Sequence, residues 1–414
     1  MQPVYKKSLC CASCGNTELI EILNLQDVPL AGFFPDKQQL YKECIYPLKL
    51  MLCPSCKLVQ TDSCINPDTL FKDYRYMSSI GLSTHFKDLA KLIDDRYNIK
   101  NKQILEIGCN DGALLEPLSN IGAIATGVDP SANICKITKA KGLNVINSYF
   151  SYKNFNTPQH KNTYDLVLSN NAFAHIIDVN DVVRGIKNVL KPDGHFIFEV
   201  HYLKNLIDEN QWDNVYHEHI YYYSITALNN LFDKFNMTVI DFEEIPIHAG
   251  SIRVTVQNIK TKLSKKITDR LNDESNNICN LEYLQNYNQQ VKQHIEDFKT
   301  TIKQLSTKYK IAGYGASGRA NMFCNLTGLN KDIIKFIVDE SPERCNRYIA
   351  NLQIPIVDIE TLKNSDVDLL IIFAWNYSKM IIDKTKFKQF KYLVAFPSVQ
   401  IVNDYDQLNG FNSI

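Results

Sequence analysis

The sequence lacks an excess of charge of either sign. Its 414 residues include 45 Lys and Arg and 45 Asp and Glu, so the formal net charge is zero. A protein that neutralises many phosphates usually carries a basic excess or a basic patch. Here the basic residues are scattered along the chain. We therefore expect no nucleic-acid partner.

Long apolar runs are also missing. No run reaches the roughly 18 residues that a membrane-spanning helix needs. The first residues, MQPVYKKSLCCASCG, contain no apolar core like that of a signal peptide. We expect a cytoplasmic protein without a membrane partner, in which cysteines stay reduced or bind metal. At about 100–200 residues per domain, the length predicts two to four domains.

Cysteine, in contrast, is abundant and unevenly placed. Seven of the twelve cysteines lie in the first 64 residues, and four of them form two C-x-x-C pairs, Cys11 with Cys14 and Cys53 with Cys56. Two such turns brought together offer four thiolates in the tetrahedral arrangement that suits Zn²⁺. Four sulfur ligands leave no open position, so the metal would be structural. Buried or redox-active cysteines are the alternative, and Cys10 is an alternative to Cys11.

The middle of the chain alternates short apolar strands with helices. Strands are predicted over residues 103–108, 123–129, 164–169 and 195–200, and helices from 113, over 131–141 and over 179–190. This alternation predicts a doubly wound α/β domain with a mostly parallel sheet. Residues 262–308 are polar and helix-like. Strands near 311, 336–339, 367–373 and 392–396 then predict a second sheet.

The first turn after a strand, E-I-G-C-N-D-G at residues 106–112, is poor in glycine. It lacks the third glycine of the dinucleotide-binding motif, and its acids would repel a pyrophosphate. Asp129, which ends the next strand, has the position of an acid that binds ribose hydroxyls. The turn resembles the E-x-G-x-x-x-G motif of class I methyltransferases, which bind S-adenosylmethionine (SAM). The resemblance implies that SAM contacts the following residues: Glu106, Gly108, Asn110, Asp111, Gly112, Asp129, Asn170 and Asn171.

Residues 213–224, DNVYHEHIYYYS, are unusually rich in proton-transferring groups. A zinc protease motif would need H-E-x-x-H, and here the second histidine directly follows the glutamate. A carbon nucleophile next to a carbonyl needs a base to remove its proton, and histidine is the usual base near neutral pH. Tyr216, Glu218 and His219 would supply an enolate hydrogen bond, a carboxylate that orients the ring, and the base. A tyrosine-rich surface loop is the alternative.

Several motifs occur in one order along the chain. After the two cysteine pairs come E-I-G-C-N-D-G and Y-H-E-H, and matching stretches lie at residues 28–31 (VPLA), 56–60 (CKLVQ), 74–79 (YRYMSS) and 248–253 (HAGSIR). Together they resemble the nucleotide-sugar C-methyltransferases of the tetronitrose type over essentially the whole chain. The resemblance implies SAM as methyl donor and a nucleotide-diphosphate 4-keto-6-deoxy sugar as acceptor, methylated at C3 through an enolate.

The same resemblance implies roles for individual residues. His219 would be the general base, flanked by Glu218 and Tyr216, and Tyr76 and His175 would be further active-site residues. His217, between two motif residues, is expected to face outward.

The C-terminal third contains the motif G-x-G-x-x-G at residues 313–318, followed by a strand that ends at Asp339. This pattern predicts dinucleotide binding, so an NAD-dependent oxidoreductase acting on a nucleotide sugar is the main alternative. The resemblance instead implies a second Rossmann-like domain that binds the nucleotide sugar, with Asp339 as a structural relic. The substrate contacts would then come from Ser251, Arg253, Tyr314, Ser317 and Arg319.

These expectations divide the chain into three parts. Residues 1–68 would form a small zinc-binding domain, residues 69–244 a class I Rossmann-like methyltransferase domain, and residues 245–414 a Rossmann-like α/β domain. A nucleic-acid or protein methyltransferase, or a binding module without activity, is a third possibility. The neutral charge and the lack of an N/D-P-P-Y/F motif speak against it.

Overall fold

The computed structural model describes residues 4–40, 45–71 and 77–408. The strands are β1 Tyr5–Lys7, β2 Ile20–Pro29, β3 Ile45–Leu52, β4 Val59–Thr61, β5 Ser63–Ile65, β6 Gln103–Ile107, β7 Ile124–Asp129, β8 Asn144–Asn147, β9 Tyr164–Asn170, β10 Leu190–His201, β11 Tyr221–Tyr222, β12 Thr238–Ile245, β13 Ser251–Gln257, β14 Ile311–Tyr314, β15 Ile334–Val338, β16 Ile356–Val357, β17 Leu369–Ile372, β18 Lys391–Val394 and β19 Gln400–Val402.

The α-helices are α1 Pro67–Phe71, α2 Ser79–Tyr97, α3 Leu115–Ile121, α4 Ala132–Ala140, α5 Tyr152–Phe155, α6 Val179–Val189, α7 Leu203–Asp208, α8 Ile225–Asp233, α9 Lys265–Asn276, α10 Leu281–Ser306, α11 Gly318–Thr327, α12 Ile359–Lys363 and α13 Ser378–Thr385. Within the described residues, every helix is too short or too polar to cross a lipid bilayer.

The N-terminal part folds around an antiparallel sheet in the order β11-β4-β3-β2. Alternate residues of β3, Leu48, Leu50 and Leu52, are buried, as expected for a sheet with one face on a core. The outer strand β11 comes from the distant segment 213–224, and Tyr221 pairs with Gln60. The N-terminal sheet is therefore completed by the segment that carries the predicted base.

The central sheet has seven strands in the order β12-β13-β10-β9-β6-β7-β8. Strands β6 to β10 are parallel, and read from β8 they follow the first five positions of the Rossmann order 3-2-1-4-5-6. Helix α6 shows why the local sequence folds this way. The Asp178 side chain accepts the Asp181 N–H at its first turn, and Val179, Val182 and Ile186 face the core at helical spacing. The predicted doubly wound sheet is confirmed.

The C-terminal sheet has the order β16-β15-β14-β17-β18-β19, which is the Rossmann strand order 3-2-1-4-5-6 with the last strand antiparallel. Helix α10, inside the stretch predicted to be polar and helical, precedes it and buries one face that includes Leu284, Tyr287 and Phe298. The second Rossmann-like domain is confirmed.

The central sheet extends past the domain boundary that was predicted between residues 244 and 245. Strand β13 pairs antiparallel with both β10 and β12, so the central sheet continues to Gln257. The sequence places this strand after a loop, and its partners lie more than fifty residues earlier in β10. Such long-range pairing is not visible in local patterns.

Candidate functional site

The four predicted zinc ligands come together in the N-terminal domain. The Sγ atoms of Cys11, Cys14, Cys53 and Cys56 all lie within 4.8 Å of one another. Cys11 and Cys56 are 3.4 Å apart, and Cys14 and Cys53 are 3.5 Å apart. Zinc–sulfur bonds of about 2.3 Å give sulfur–sulfur distances near 3.8 Å in a tetrahedron, so the cluster fits Zn²⁺. Cys10 is exposed and outside the cluster, which decides between it and Cys11.

Both cysteine pairs sit on the same kind of turn. The Cys11 carbonyl accepts the Gly15 N–H, and the Cys53 carbonyl accepts the Lys57 N–H. Gly15 and Lys57 both have left-handed backbones, with φ of +79° and +63°. This conformation closes each turn and leaves the paired sulfur atoms on one side.

The carboxyl ends of β6, β7, β9 and β10, which we call the ligand edge, carry the predicted SAM residues. Gly108 has φ of +73°, and a Cβ there would lie 2.4 Å from the Ala172 Cβ. Gly112 has φ of +81°, and a Cβ there would lie 2.6 Å from the Leu143 side chain. Both positions therefore require glycine, and the turn keeps its backbone close to the neighbouring strand.

Two acids lie at the ligand edge with different surroundings. Glu106 is buried, and burial raises the pKa of its carboxyl to about 8. Its Oε1 is 3.4 Å from the Asn170 amide, while Oε2 has no hydrogen-bond partner among the described residues. Asp129 accepts the backbone N–H groups of Asn110 and Ser131. An unmatched carboxylate oxygen beside this turn fits the ammonium group of SAM.

Other predicted SAM residues have structural contacts. The Asn110 side chain accepts the Ser78 N–H, and Asp111 accepts the Ser79 N–H and lies 3.4 Å from Lys141. These contacts attach the start of α2 to the turn. Asn171 has φ of +53°, and its N–H donates to the Glu199 carbonyl. Direct contact of Asn110, Asp111 and Asn171 with SAM stays a prediction.

His219 has a defined tautomer. Its Nδ1 lies 3.1 Å from the Asn214 carbonyl oxygen, and a carbonyl can only accept, so Nδ1 carries the hydrogen. Its Nε2 lies 2.9 Å from the Tyr216 hydroxyl, which donates to the nitrogen lone pair. Burial, with the charges of neighbouring histidines, lowers the pKa of His219 well below its ordinary value. The imidazole is therefore neutral at pH 7, as a general base must be.

The rings of His175 and His219 lie close to each other. Their ring centroids are 5.1 Å apart. His175 lies in a short turn of helix just after β9, and its Nδ1 donates to the Glu218 carbonyl over 2.5 Å. Burial lowers the pKa of His175. Because β9 ends at the ligand edge, both imidazoles lie on the side of the sheet that carries the SAM residues.

The predicted orienting contact from Glu218 to the His219 ring is wrong. The Asn214 carbonyl makes that contact, and the Glu218 Oε1 accepts the Gly32 N–H of the N-terminal domain at 3.0 Å. Burial raises the pKa of Glu218, and its Oε2 has no partner among the described residues. Residue 218 follows a turn and not a strand, so adjacency in sequence does not bring its carboxylate to the ring.

The expectation that His217 faces outward is also wrong. Its side chain is buried, at 1% exposure, with the ring edge against Tyr46 and Nε2 donating to the Pro47 carbonyl. From the sequence alone, a histidine between two motif residues is expected to be exposed to solvent. Here the N-terminal domain covers it.

Two of the predicted substrate residues are occupied by contacts within the central sheet. Arg253 binds Glu199 at 2.8 Å and Glu243 at 3.0 Å. Ser251 is buried, and its hydroxyl donates to the Ile247 carbonyl. These contacts indicate that both side chains hold the β12–β13 loop and the end of β10. The sequence could not reveal this because Glu199 lies on another strand.

The three predicted substrate residues of the C-terminal domain lie around one turn. Ser317 caps α11 by accepting the Ala320 N–H, and the Tyr314 hydroxyl donates to Glu340. Arg319 stacks on Trp375 and pairs with buried Asp213 of residues 213–224. Arg319 thus joins the C-terminal domain to the segment that carries His219. Its predicted contact with substrate remains to be tested.

The acid of the dinucleotide pattern has its own partners. Asp339 accepts the Ser341 N–H at 2.8 Å and pairs with Arg344 at 3.3 Å. Gly318, at the start of α11, also lies close to the N-terminal domain, because a Cβ there would lie 3.2 Å from the Ala31 Cβ. The Asp339 carboxylate is therefore already engaged by partners within the C-terminal domain.

Sequence reasoning missed three polar residues that support the site. Gln211 and Asn214 hold the His219 turn, and buried Glu199 forms a hydrogen bond with His85 at 2.8 Å. Asn214 acts through its backbone, so no side-chain pattern could identify it. Glu199 could have been noticed in the sequence, because it is a glutamate near the end of a predicted buried strand. Tyr76, the remaining predicted active-site residue, lies outside the described residues.

Comparison with known proteins covers nearly the whole chain. Family models match residues 11–71 (zinc binding domain), 82–241 (methyltransferase domain) and 246–397 (C-methyltransferase C-terminal domain). The C-methyltransferase NovU of Streptomyces niveus is 27% identical over 417 residues, which is 97% of this chain and 99% of NovU. The chain is a SAM-dependent methyltransferase, and its C-terminal part matches the C-terminal domain of C-methyltransferases.

Other relatives of this methyltransferase match a smaller share. A malonyl-[acyl-carrier protein] O-methyltransferase of Bacillus anthracis is 32% identical over 113 residues, 27% of this chain and 42% of that protein. The magnesium protoporphyrin IX methyltransferase ChlM of Synechocystis PCC 6803, solved with bound SAM, is 12% identical over 44% of this chain and 81% of its own, with a TM-score of 0.34. The matches to a methyltransferase domain and a zinc binding domain, together with the cluster of four cysteines, confirm the predicted cofactors, SAM and zinc.

Proposed function

We propose that this methyltransferase methylates C3 of a nucleotide-linked 4-keto-6-deoxy sugar through an enolate, with His219 as the base. The observation that carries the proposal is the pair of hydrogen bonds that orients the buried His219 ring. Its Nδ1–H is held by the Asn214 carbonyl, so the lone pair is on Nε2, beside the Tyr216 hydroxyl. A neutral, oriented imidazole of this kind is suited to removing a proton next to a ketone.

The first step is proton removal from C3. Nε2 of His219 takes the proton, the C3–H electron pair moves into the C3–C4 bond, and the C4 oxygen becomes an enolate. The Tyr216 hydroxyl, which donates to Nε2 before the reaction, first turns its hydrogen to the C4 oxygen and so frees the Nε2 lone pair for the C3 proton. It then donates to the enolate oxygen and accepts from the new Nε2–H. One hydroxyl can do both because it is a donor and an acceptor. His175, whose ring centroid lies 5.1 Å from that of His219, is a second buried imidazole beside the base, and burial lowers its pKa.

The second step forms the new carbon–carbon bond. Bound SAM supplies an electrophilic methyl group, and C3 is the nucleophile that this chain prepares. Gly108 and Gly112 would let the backbone approach the donor. Glu106, whose buried carboxyl would lose its proton beside a cation, would bind the ammonium group of the donor. The C3–methyl bond forms as the S–CH3 bond breaks and S-adenosylhomocysteine leaves. The C4 ketone then re-forms, and His219 releases its proton to water.

The C-terminal domain binds the nucleotide part of the substrate. The glycine-rich turn after β14 leads into α11, and N–H groups at a helix start accept phosphate oxygens. Arg319 adds a cation in the second residue of that helix, next to the segment that carries His219. A diphosphate held there would place the attached sugar between the C-terminal domain and the base.

Two measurements test the proposal. With SAM and a nucleotide-linked 4-keto-6-deoxy sugar, mass spectrometry should detect the addition of one methyl group. Without SAM, solvent deuterium should exchange into C3. His219→Ala should slow the exchange by about 10²–10⁴-fold while SAM binding stays intact.

His160→Ala is the matched control, because His160 packs against Phe155 on another part of the central domain. Exchange at an unchanged rate in His219→Ala would refute the role of His219. If no such sugar gains a methyl group or deuterium with the wild-type protein, the substrate class is wrong.

A further inference from the structure

The loop of residues 246–250 lies at the ligand edge. It joins β12 to β13, and Ser251, the first residue of β13, pairs with His201, the last residue of β10. The Gly250 carbonyl accepts the Tyr202 N–H just beyond that strand. His248 is therefore presented at the carboxyl end of β10, next to the strand ends that carry Glu106 and Asn170.

The backbone of this loop is strained. His248 has φ of 54° and ψ of 33°, Ala249 has φ of 68°, and Gly250 has φ of 112°. A Cβ on Gly250 would lie 2.5 Å from the Asn205 Cγ, so that position requires glycine. Two successive non-glycine residues in the left-handed region are unfavourable, and such strain is found mainly where surroundings enforce it at functional sites.

A chain of hydrogen bonds enforces this conformation and connects it to the base. The Ala249 carbonyl accepts from the Gln211 amide nitrogen at 2.6 Å. The Gln211 amide oxygen accepts from the Asn214 side chain at 3.0 Å, and the Asn214 carbonyl accepts from His219 Nδ1 at 3.1 Å. Gln211 is fully buried. The positions of residues 248 and 219 are therefore set by the same side chain.

The His248 ring itself has no hydrogen bond to any residue that the structure describes. It lies within the electrostatic influence of Glu199 and Arg319, and it contributes to lowering the pKa of His219. Burial lowers the pKa of His248 to about 4, so the ring is neutral at pH 7. A neutral imidazole offers one N–H donor. His248 is held in a strained conformation, and its ring N–H has no acceptor among the described residues. This suggests that the N–H donates to a bound ligand.

We propose that His248 is a further catalytic residue, which donates a hydrogen bond to the C4 oxygen of the ketosugar as the enolate forms. This inference rests on the proposed function. Together with the Tyr216 hydroxyl, it gives the developing oxyanion two donors, the usual arrangement for stabilising such a charge. The donor is held in place before the reaction, so little reorganisation is needed.

The test compares two variants in deuterium exchange at C3 and in methyl transfer. His248→Gly removes the donor and relieves the strain, and it should lower kcat for both reactions by about 10²-fold with KM for the ketosugar within about threefold. His248→Asn tolerates the left-handed backbone and keeps an N–H donor, and it should recover part of the loss. Gln353→Gly is the matched control, because Gln353 has φ of 55° in a distant turn.

Circular dichroism and SAM affinity, unchanged in all three variants, would show that the fold is intact. If His248→Gly exchanges at the wild-type rate while His219→Ala does not, the role of His248 is refuted and the proposed function stands. A rise in KM with kcat unchanged would also refute it, since a ground-state contact would then explain the effect. No exchange in the wild-type protein would refute both proposals.

Discussion

At the scale of single residues, the site depends on which atoms of each side chain are already engaged. The Asn214 carbonyl leaves His219 with its lone pair on Nε2, and the Gly32 N–H draws the Glu218 carboxylate away from the ring. The sequence shows which side chains could transfer protons. The contacts in the folded protein determine which atom of these side chains is available for proton transfer.

The buried position of His219 predicts the pH dependence of C3 exchange. Its pKa is lowered well below the ordinary histidine value of about 6.5, so protonation of the base occurs only at lower pH. The kcat/KM for exchange should therefore be flat from pH 8 to about 6.5 and fall only below that range. Exchange of the same sugar catalysed by free imidazole is the control. An acid limb centred above about 6.5 would contradict the assignment.

Gly108 offers a test of the SAM turn. In Gly108→Ala the new methyl group would be 2.4 Å from the Ala172 Cβ, so SAM should bind roughly tenfold or more weakly, equal to about 1.4 kcal/mol. The matched control is Gly142→Ala, which has a similar φ of +77° but nothing within 4 Å of the new methyl group. Calorimetric titration with SAM measures both. Equal affinities would show that the contact with Ala172 is irrelevant.

At the scale of elements, residues 213–224 act as a junction. Asp213 pairs with Arg319 of the C-terminal domain, Ile220 donates to the Ala174 carbonyl of the central domain, and Tyr222 pairs with Val59 of the N-terminal sheet. The segment is short and irregular. Its shape comes from these three neighbours and not from an intrinsic helix or strand preference.

His217 tests this junction. In His217→Ala the cavity left beside Tyr46 and the lost bond to the Pro47 carbonyl should lower the free energy of unfolding by about 1–3 kcal/mol. The turn that holds His219 should loosen, so kcat for methyl transfer should fall while SAM affinity stays unchanged. Denaturant unfolding and steady-state kinetics measure the two effects. An unaltered kcat in a destabilised protein would mean that the N-terminal domain does not position the base.

At the scale of the whole molecule, the N-terminal domain connects the other two. The fully buried Asn321 of α11 donates to the carbonyls of Leu30 and Phe33, while Glu218 accepts from Gly32 in the same loop. The zinc cluster lies in the domain that supplies this loop. Loss of the metal should therefore disturb residues 213–224, far along the sequence.

The adjacent cysteines test this dependence. Cys11→Ser removes a ligand and should abolish stoichiometric zinc binding and most methyl transfer, because a structural zinc site contributes directly to folding of its domain. Cys10→Ser, at an exposed position outside the cluster, should retain both. Zinc is measured by elemental analysis and transfer by mass spectrometry. Zinc loss from Cys10→Ser with retention in Cys11→Ser would reverse the assignment.

Much of the fold was predictable because it depends on local patterns. Apolar runs bounded by polar turns predict strands such as β6 and β9, and C-x-x-C spacing predicts the cysteine turns. The placement of β13 was not predictable, since its partners β10 and β12 are recognised only by strand pairing. The burial of His217 was likewise missed, because the covering surface comes from a distant part of the chain.

The sequence by itself determined the succession of a cysteine-rich domain and two Rossmann-like domains, the candidate metal ligands, and the set of groups from which an active site could be built. Only the tertiary structure decided that Nε2 of His219 carries the lone pair, that Asn214 and Gln211 hold the base, and that His248 reaches the same edge of the sheet. The reason is physical: spacing along the chain sets local conformation, while the partner of a buried polar atom is chosen by packing between distant segments.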